Sequence, residues 1–223
     1  MKYRLIFIAI TLIAAVLASP TAAYAHRPVW GEDAGVTKIE NLSTSFAFYR
    51  EFKTEKVHAY SFEGKTGQSL HAGIQIPAIK GLEAYSVSMA ILGPGFPEVD
   101  EALLPTNHPE NLGALIFPTE TTSDFFEPFT QTNYWGRQTA DLTLPADGTY
   151  YILIWNPEGK PGKYILDSGR AETFEPQDFF LFPIWWLRIR IYFGQGPYLA
   201  LLSLSIVAVI AGLFIRRKRS IKE

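Results

Sequence analysis

Any side-chain chemistry in this chain would turn on histidine. There are four, His26, His58, His71 and His108, and there is no cysteine. Thiol catalysis, cysteine-bound zinc and disulfides are thereby excluded. His26 is the most pointed of the four. It follows Ala23-Tyr24-Ala25, which puts small residues one and three positions before a signal-peptidase cut. Cleavage there would make His26 the first residue of the mature chain. A terminal amine and an imidazole on one residue form a chelate suited to Cu(II). Completing such a site takes a further imidazole, so His26, His71 and His108 are the candidate metal ligands. His58 shares a strand face with Tyr60 and Phe62 and reads as a hydrogen-bonded core residue. His71 alternates outward beside Gln75. Copper is the alternative cofactor; the main expectation is none.

Other chemistries find no support. No G-x-S-x-G occurs, so a hydrolase nucleophile turn is missing. Asp100 and Glu101 sit in a polar stretch without a pattern that pairs them for acid–base work. Gly93-Pro94-Gly95 lacks the lysine and the strand-to-helix context of a phosphate loop. No catalytic residues are expected and the chain does not read as an enzyme. Aromatic side chains are the better candidates for ligand contact. Phe125, Phe126, Phe129, Tyr134 and Trp135 cluster in one connection, where rings could stack on sugars or grip a protein. The competing expectation is that they fold back to cap the domain.

The elements that would carry these residues are framed by two apolar segments. Leu5 to Leu17 follows Lys2 and Arg4, and residues 1–25 read as a signal peptide. Residues 198–215 carry no charge and are followed by Arg216, Arg217, Lys218 and Arg219. As a helix they would be about 27 Å long, enough to cross the hydrocarbon core. The basic cluster places residues 216–223 in the cytoplasm and the preceding domain outside, at the cell membrane as a single-pass protein. Of the 22 acidic residues, 21 lie in residues 26–178, against 11 of the 20 basic ones. An exported part so acidic argues against nucleic acid as a partner. Membrane lipid and a protein in or on the membrane are the expected partners.

Residues 179–197 form an aromatic membrane-proximal segment. Trp and Tyr favour the headgroup layer, and arginine reaches lipid phosphates from there. Trp185, Trp186, Arg188, Arg190 and Tyr192 are the expected interface residues. Pro183 suits the start of a short helix, while the alternation from Leu187 to Phe193 would equally fit a final strand.

Strand signals dominate residues 26–178. Phe46, Phe48 and Phe52 share one parity. His58, Tyr60 and Phe62 share another, and Leu70, Ala72, Ile74 and Ile76 alternate with polar or small residues. Val87, Met89 and Ile91 follow the same rule. Short strands are expected at 113–117 and 141–144. Thr149 to Trp155 is nearly continuous in apolar and aromatic residues, as a central strand would be, and Gly162 to Ser168 closes the series. Residues 96–111 and 119–134 read as long connections. Short strands set off by Gly and Pro turns predict an all-β domain, an antiparallel β-sandwich of jelly-roll type.

Val57-His58-Ala59-Tyr60-Ser61-Phe62 with Gly67-Gln68-Ser69-Leu70 resembles the opening of prepeptidase C-terminal (PPC)-like domains. Leu144-Pro145-Ala146-Asp147-Gly148-Thr149-Tyr150-Tyr151 and Gly162-Lys163-Tyr164-Ile165-Leu166 resemble their closing hairpin. The resemblance covers residues 36–168 and implies a β-sandwich used as a non-catalytic module, some of which bind carbohydrate or calcium. The sequence thus leads to a membrane-anchored extracytoplasmic recognition or accessory module for a protein or carbohydrate ligand. A copper-binding or copper-delivery protein using His26, and an accessory subunit of a membrane complex, are the alternatives. N-terminal sequencing of the membrane-bound protein is expected to read His-Arg-Pro-Val-Trp; a chain still beginning at Met1 would refute both the cleavage and the terminal copper chelate.

Overall fold

The structure, a computed structural model of the chain, describes residues 26–31, 35–105, 109–119, 124–201 and 203–205. The expected signal peptide, His108, residues 206–215 of the expected span and the basic tail lie outside the described residues. The described chain is mostly β and forms two sheets. The first holds six strands in the order β1 (Arg27–Trp30), β3 (Phe46–Phe52), β11 (Gly162–Ser168), β5 (Ser69–Pro77), β9 (Thr132–Thr143) and β8 (Asp124–Glu127). The second holds five in the order β2 (Val36–Lys38), β4 (Val57–Gly64), β10 (Gly148–Trp155), β6 (Ser88–Gly93) and β7 (Gly113–Phe117).

Period-2 patterning decides which side chains meet between the sheets. Phe48 and Phe52 of β3, Leu70, Ala72, Ile74 and Ile76 of β5, and Tyr164 and Leu166 of β11 point inward from the first sheet. Tyr60, Phe62, Met89, Ile91, Tyr150, Ile152 and Ile154 meet them from the second. Thr149 to Trp155 is indeed central: β10 pairs with β4 on one side and β6 on the other. Its Tyr150 ring stacks on Phe62 at 5.5 Å. A Cβ on Gly64 or Gly93 would run into that ring, so both flanking strands carry glycine where the tyrosine passes.

The pairing departs from the expected antiparallel pattern at two edges. β1 runs parallel to β3 and β2 runs parallel to β4. The chain alternates sheets over β1 to β4, so each short leading strand meets its neighbour after a crossover rather than a hairpin. Within the connection expected at 119–134, residues 124–127 and 132–134 are strand. Phe125 opposes Tyr134 and Glu127 opposes Thr132 across a hairpin. The turn of that hairpin is built by the Glu127 carboxylate. It accepts from the backbone N–H of Phe129 at 2.8 Å and of Thr130 at 2.6 Å. A side-chain cap of this kind leaves no period to read in the sequence.

The segment whose helix or strand character the sequence left open settles as helix over Asp178–Tyr192. α1 (Asp178–Tyr192) lies over the outer face of the first sheet, with Ile189 and Phe193 packed against Ala47, Tyr49, Tyr134 and Ile165. Among the described residues no helix is long and apolar enough to cross a membrane; residues 196–201 and 203–205 are helical. Ile152 is fully buried between the sheets, whereas Val36 is mostly exposed. Ile152→Ala is expected to lower unfolding stability in urea by about 2–5 kcal/mol, and Val36→Ala to change it by less than about 0.5 kcal/mol.

Candidate functional site

The two outer faces of the sandwich differ in what covers them. On the second sheet, Ala90 and Leu92 of β6, Ala114 of β7 and Leu153 of β10 point away from the core. Val99, Leu104 and Leu112 of the long connection fold down onto them. This connection holds one 3-10 turn, Glu101–Leu103, started by Asp100, whose carboxylate accepts from the Ala102 N–H at 2.9 Å. The covering stops short of the end of β10. What remains is an open groove of about 930 Å³, with Trp155, Val57 and Ile116 on its walls and Leu103 exposed at its lip.

The turn that bounds the groove is held by Asn156. Its side-chain N–H donates to the Ser86 carbonyl at 2.7 Å, and its carbonyl oxygen accepts from the Lys160 N–H at 2.9 Å. Gly159 takes a φ of 65° there, a left-handed conformation glycine adopts without strain. Pro105, Pro118, Pro157 and Pro161 stiffen the rim. Lys53, Lys56 and Lys160 face the groove with Glu55 and Glu158; Lys160 and Glu158 form an exposed ion pair at 2.5 Å. A half-buried indole with apolar walls and a rim of both charges can take an extended peptide or a sugar chain. Sequence reading missed this site, because Trp155 is the last residue of a strand that reads as wholly buried.

The first sheet presents the opposite situation. Beneath α1 a cavity of only about 30 Å³ remains, lined by His26, Tyr49, Glu127, Tyr134 and Asp167 among others. It has room for about one water molecule. The His26 Nδ1 meets the Ser45 hydroxyl. Beside the helix lies a polar cluster. The His71 Nδ1 lies 2.8 Å from Asp141 and its Nε2 3.1 Å from Asp167. Arg170 donates to both oxygens of Asp141, at 2.8 and 2.9 Å. The bond to Asp167, then that to Asp141, raises the His71 pKa against the effect of partial burial. For Asp141, burial alone would raise the pKa, but the bonds from Arg170 and His71 outweigh it and hold it low. A Cβ on Gly73 would strike the Asp167 carboxylate, so glycine at 73 is what lets the aspartate lie flat on the sheet.

The residues expected to act are dispersed by this arrangement. Of the three metal candidates, His26 is bonded to Ser45, His71 to two aspartates, and His108 lies outside the described residues. Among the described residues no three of His, Asp and Glu are grouped to hold a metal ion. The five candidate aromatics point in different directions. Phe125 and Tyr134 pack under α1, Trp135 packs on the core between the sheets, and Phe129 lies edge-on to Phe182 of α1 at 5.5 Å. Phe126 alone of the five is largely exposed. Of the expected interface residues, Arg190 donates to the carbonyls of Thr130 (2.9 Å) and Gln131 (3.3 Å), and its guanidinium sits 5.1 Å over the Trp186 ring. Arg188 lies 4.6 Å over Trp30. Tyr192 donates its hydroxyl to the Arg50 carbonyl at 2.6 Å, with the Tyr164 carbonyl at 2.9 Å. Trp185 is half-buried against Phe182.

No known protein family and no curated protein matches the chain. Among solved structures it is similar to the pre-peptidase C-terminal domain of a collagenase from Bacillus anthracis, at 12% identity and a TM-score of 0.36, over 61% of this chain and 96% of that one. It is also similar to PliG of Aeromonas hydrophila, a periplasmic inhibitor of g-type lysozyme, at 15% identity and a TM-score of 0.35, over 60% and 96%. A third is CorA of Methylomicrobium album BG8, a surface-associated copper-binding protein, at 8% identity and a TM-score of 0.32, over 64% and 100%. At such scores and identities no residue role transfers from any of them.

The His71 cluster has a defined pH signature. A histidine pKa raised above 6.5 adds stability that is complete below that value and is lost as pH rises through the folded pKa. An aspartate pKa held below 3.8 adds stability above that value, lost as pH falls through the folded pKa. The cluster is therefore worth most between about pH 4 and 6.5. The melting-temperature gap between the native protein and His71→Gln is expected to be widest in that window and to narrow above it; a gap independent of pH would refute the charged bridge.

Proposed function

We propose that the chain is a non-catalytic extracytoplasmic recognition module of PPC-like type, held at the membrane by a C-terminal span, that binds a protein or carbohydrate ligand in the Trp155 groove. The observation that carries this reading is the groove itself. It is a large concavity that joins a half-buried indole to a proline-stiffened rim. Such a site is ready before the ligand arrives, which lowers the ordering cost of binding. The non-catalytic reading draws support from the polar groups of the first sheet. His71, Asp141, Arg170 and Glu127 are each engaged in bonds that hold strands or turns together. The membrane address draws support from the two apolar segments of the sequence and the basic residues after the second.

The reading is tested with the full chain in lipid nanodiscs, screened on an array of envelope oligosaccharides and on a library of proline-containing peptides. Trp155→Ala is expected to weaken any captured ligand about 10-fold or more, as loss of one central aromatic contact does, with the melting temperature held within a few degrees. Phe126→Ala, on the other sheet, is expected to leave binding unchanged. Equal binding by Trp155→Ala would remove the groove from the function.

A further inference from the structure

α1 is apolar on both sides, and only one side is covered. Phe182, Ile189 and Phe193 face the sandwich, where Phe182 meets Phe129 and Phe174 and the other two close over Tyr49, Tyr134 and Ile165. On the opposite side Phe180, Ile184, Leu187 and Ile191 succeed one another at steps of four, three and four residues, which is one helix face. They are 84%, 53%, 43% and 52% exposed. A helix on a water-facing surface carries polar residues there. The cations of α1 flank the stripe and reach toward the sandwich: Arg188, itself exposed, lies over Trp30, and Arg190 is drawn onto the Thr130 and Gln131 carbonyls. Asp178, the acid of the first turn, is buried and paired with Arg27 at 3.0 Å. The stripe is left without a charge.

The residues beyond the helix indicate what meets the stripe. α1 closes with Gly194 at φ 76°, its N–H bonded to the Ile191 carbonyl, and Gln195 N–H bonded to that of Arg190. Helix resumes at residue 196 with Tyr198, Leu201 and Leu204 exposed at 74%, 62% and 66%. The sequence stays uncharged to Ile215 and then turns basic. A bare apolar stripe a few residues from a segment of that kind shares its surroundings.

We infer that α1 lies flat in the surface of a lipid bilayer, with Phe180, Ile184, Leu187 and Ile191 in the acyl region and its other face fastened to the first sheet. The inference rests on the membrane-anchored reading above and adds an orientation to it. The lipid-entering residues are this stripe, while Arg190 and Tyr192 belong to the joint between helix and sandwich. The first sheet then faces the membrane and the second faces away. One helix layer and one sheet spacing, each about 10 Å, then separate the Trp155 end of the groove from the lipid by ~20 Å, while its Phe52 end reaches back to the first sheet.

The chain lacks cysteine, so single thiols can be placed without background. Ile184→Cys, Leu187→Cys and Ile191→Cys are exposed positions, and Glu158→Cys marks the groove rim. Each is made in the full chain, spin-labelled and reconstituted in vesicles of phosphatidylcholine and phosphatidylglycerol. Collision rates with oxygen, which concentrates in lipid, and with a water-soluble nickel chelate are then compared. Labels at 184, 187 and 191 are expected to collide several-fold more with oxygen than with nickel, and the label at 158 the reverse. Nickel collisions at 184 and 187 as frequent as at 158, in protein that resists alkaline carbonate, would overturn the orientation and leave the anchor standing. Dipolar broadening between like labels at 187 in sparsely loaded vesicles would mean that a second copy covers the stripe, and would equally overturn it. A chain that carbonate strips off and that fails to float with the vesicles would refute anchor and orientation together.

Discussion

A buried polar network between the two sheets sets the frame for everything else in the molecule. Arg50 of β3 donates to the Tyr60 hydroxyl of β4 at 3.3 Å, the Tyr60 and Tyr164 hydroxyls lie 3.0 Å apart, and His58 Nδ1 meets the Tyr164 hydroxyl at 2.8 Å. Arg50 and Tyr164 sit opposite each other on β3 and β11 of the first sheet; His58 and Tyr60 are on the second. All four are enclosed. Buried polar groups are costly unless bonded, so only one stacking of the sheets keeps them together. A slide of one residue would turn His58 and Tyr60 out of the core and leave Tyr164 without them. Burial also pushes the Tyr164 hydroxyl well above its ordinary pKa, which keeps it a neutral link.

The same strand pair seats the helix. The carbonyls that receive the Tyr192 hydroxyl are those of Arg50 and Tyr164, the residues whose side chains build the network on the inner side. Lys163 completes the joint, its ammonium 2.7 Å from the Tyr192 carbonyl and 4.9 Å over the Tyr192 ring. Core register and helix position are therefore tied through two residues. With α1 occupying one outer face, the Trp155 groove opens at the other.

Much of the frame was legible in the residues. The parity of His58, Tyr60 and Phe62 put His58 in the core, and the continuous run from Thr149 to Trp155 marked β10 as central, because burial on both faces leaves no alternation. The period failed where structure is held by something other than alternation. The β8–β9 hairpin depends on the Glu127 carboxylate binding its own turn. The leading strands β1 and β2 are too short for a pattern and gain their places from partners. α1 is apolar nearly all round, so its helical period is weak, and Arg188 and Arg190 on either side of Ile189 give Leu187 to Phe193 the alternation of a strand; the helix that Pro183 suggested does form, but it begins five residues earlier, at Asp178. The groove was invisible for a different reason. It is bounded by residues from β3, β4, β6, β7 and β10 and by the loops at 53–56, 102–105 and 156–161, which no local window brings together.

The order of strands in the first sheet has a temporal consequence. β11 lies between β3 and β5 and is their common partner, and Arg27 is tied to Asp178 across 151 residues of sequence. A chain is made from its N-terminus, so β3 and β5 leave the ribosome long before the strand that joins them. At ordinary rates of synthesis the wait is on the order of ten seconds. Throughout it, Phe46 to Phe52 and Ser69 to Pro77 are aromatic and aliphatic strands with open edges, the kind of surface that adheres to other chains. Biosynthesis of this protein thus includes an interval in which the facing edges of β3 and β5 wait for the strand that pairs with both.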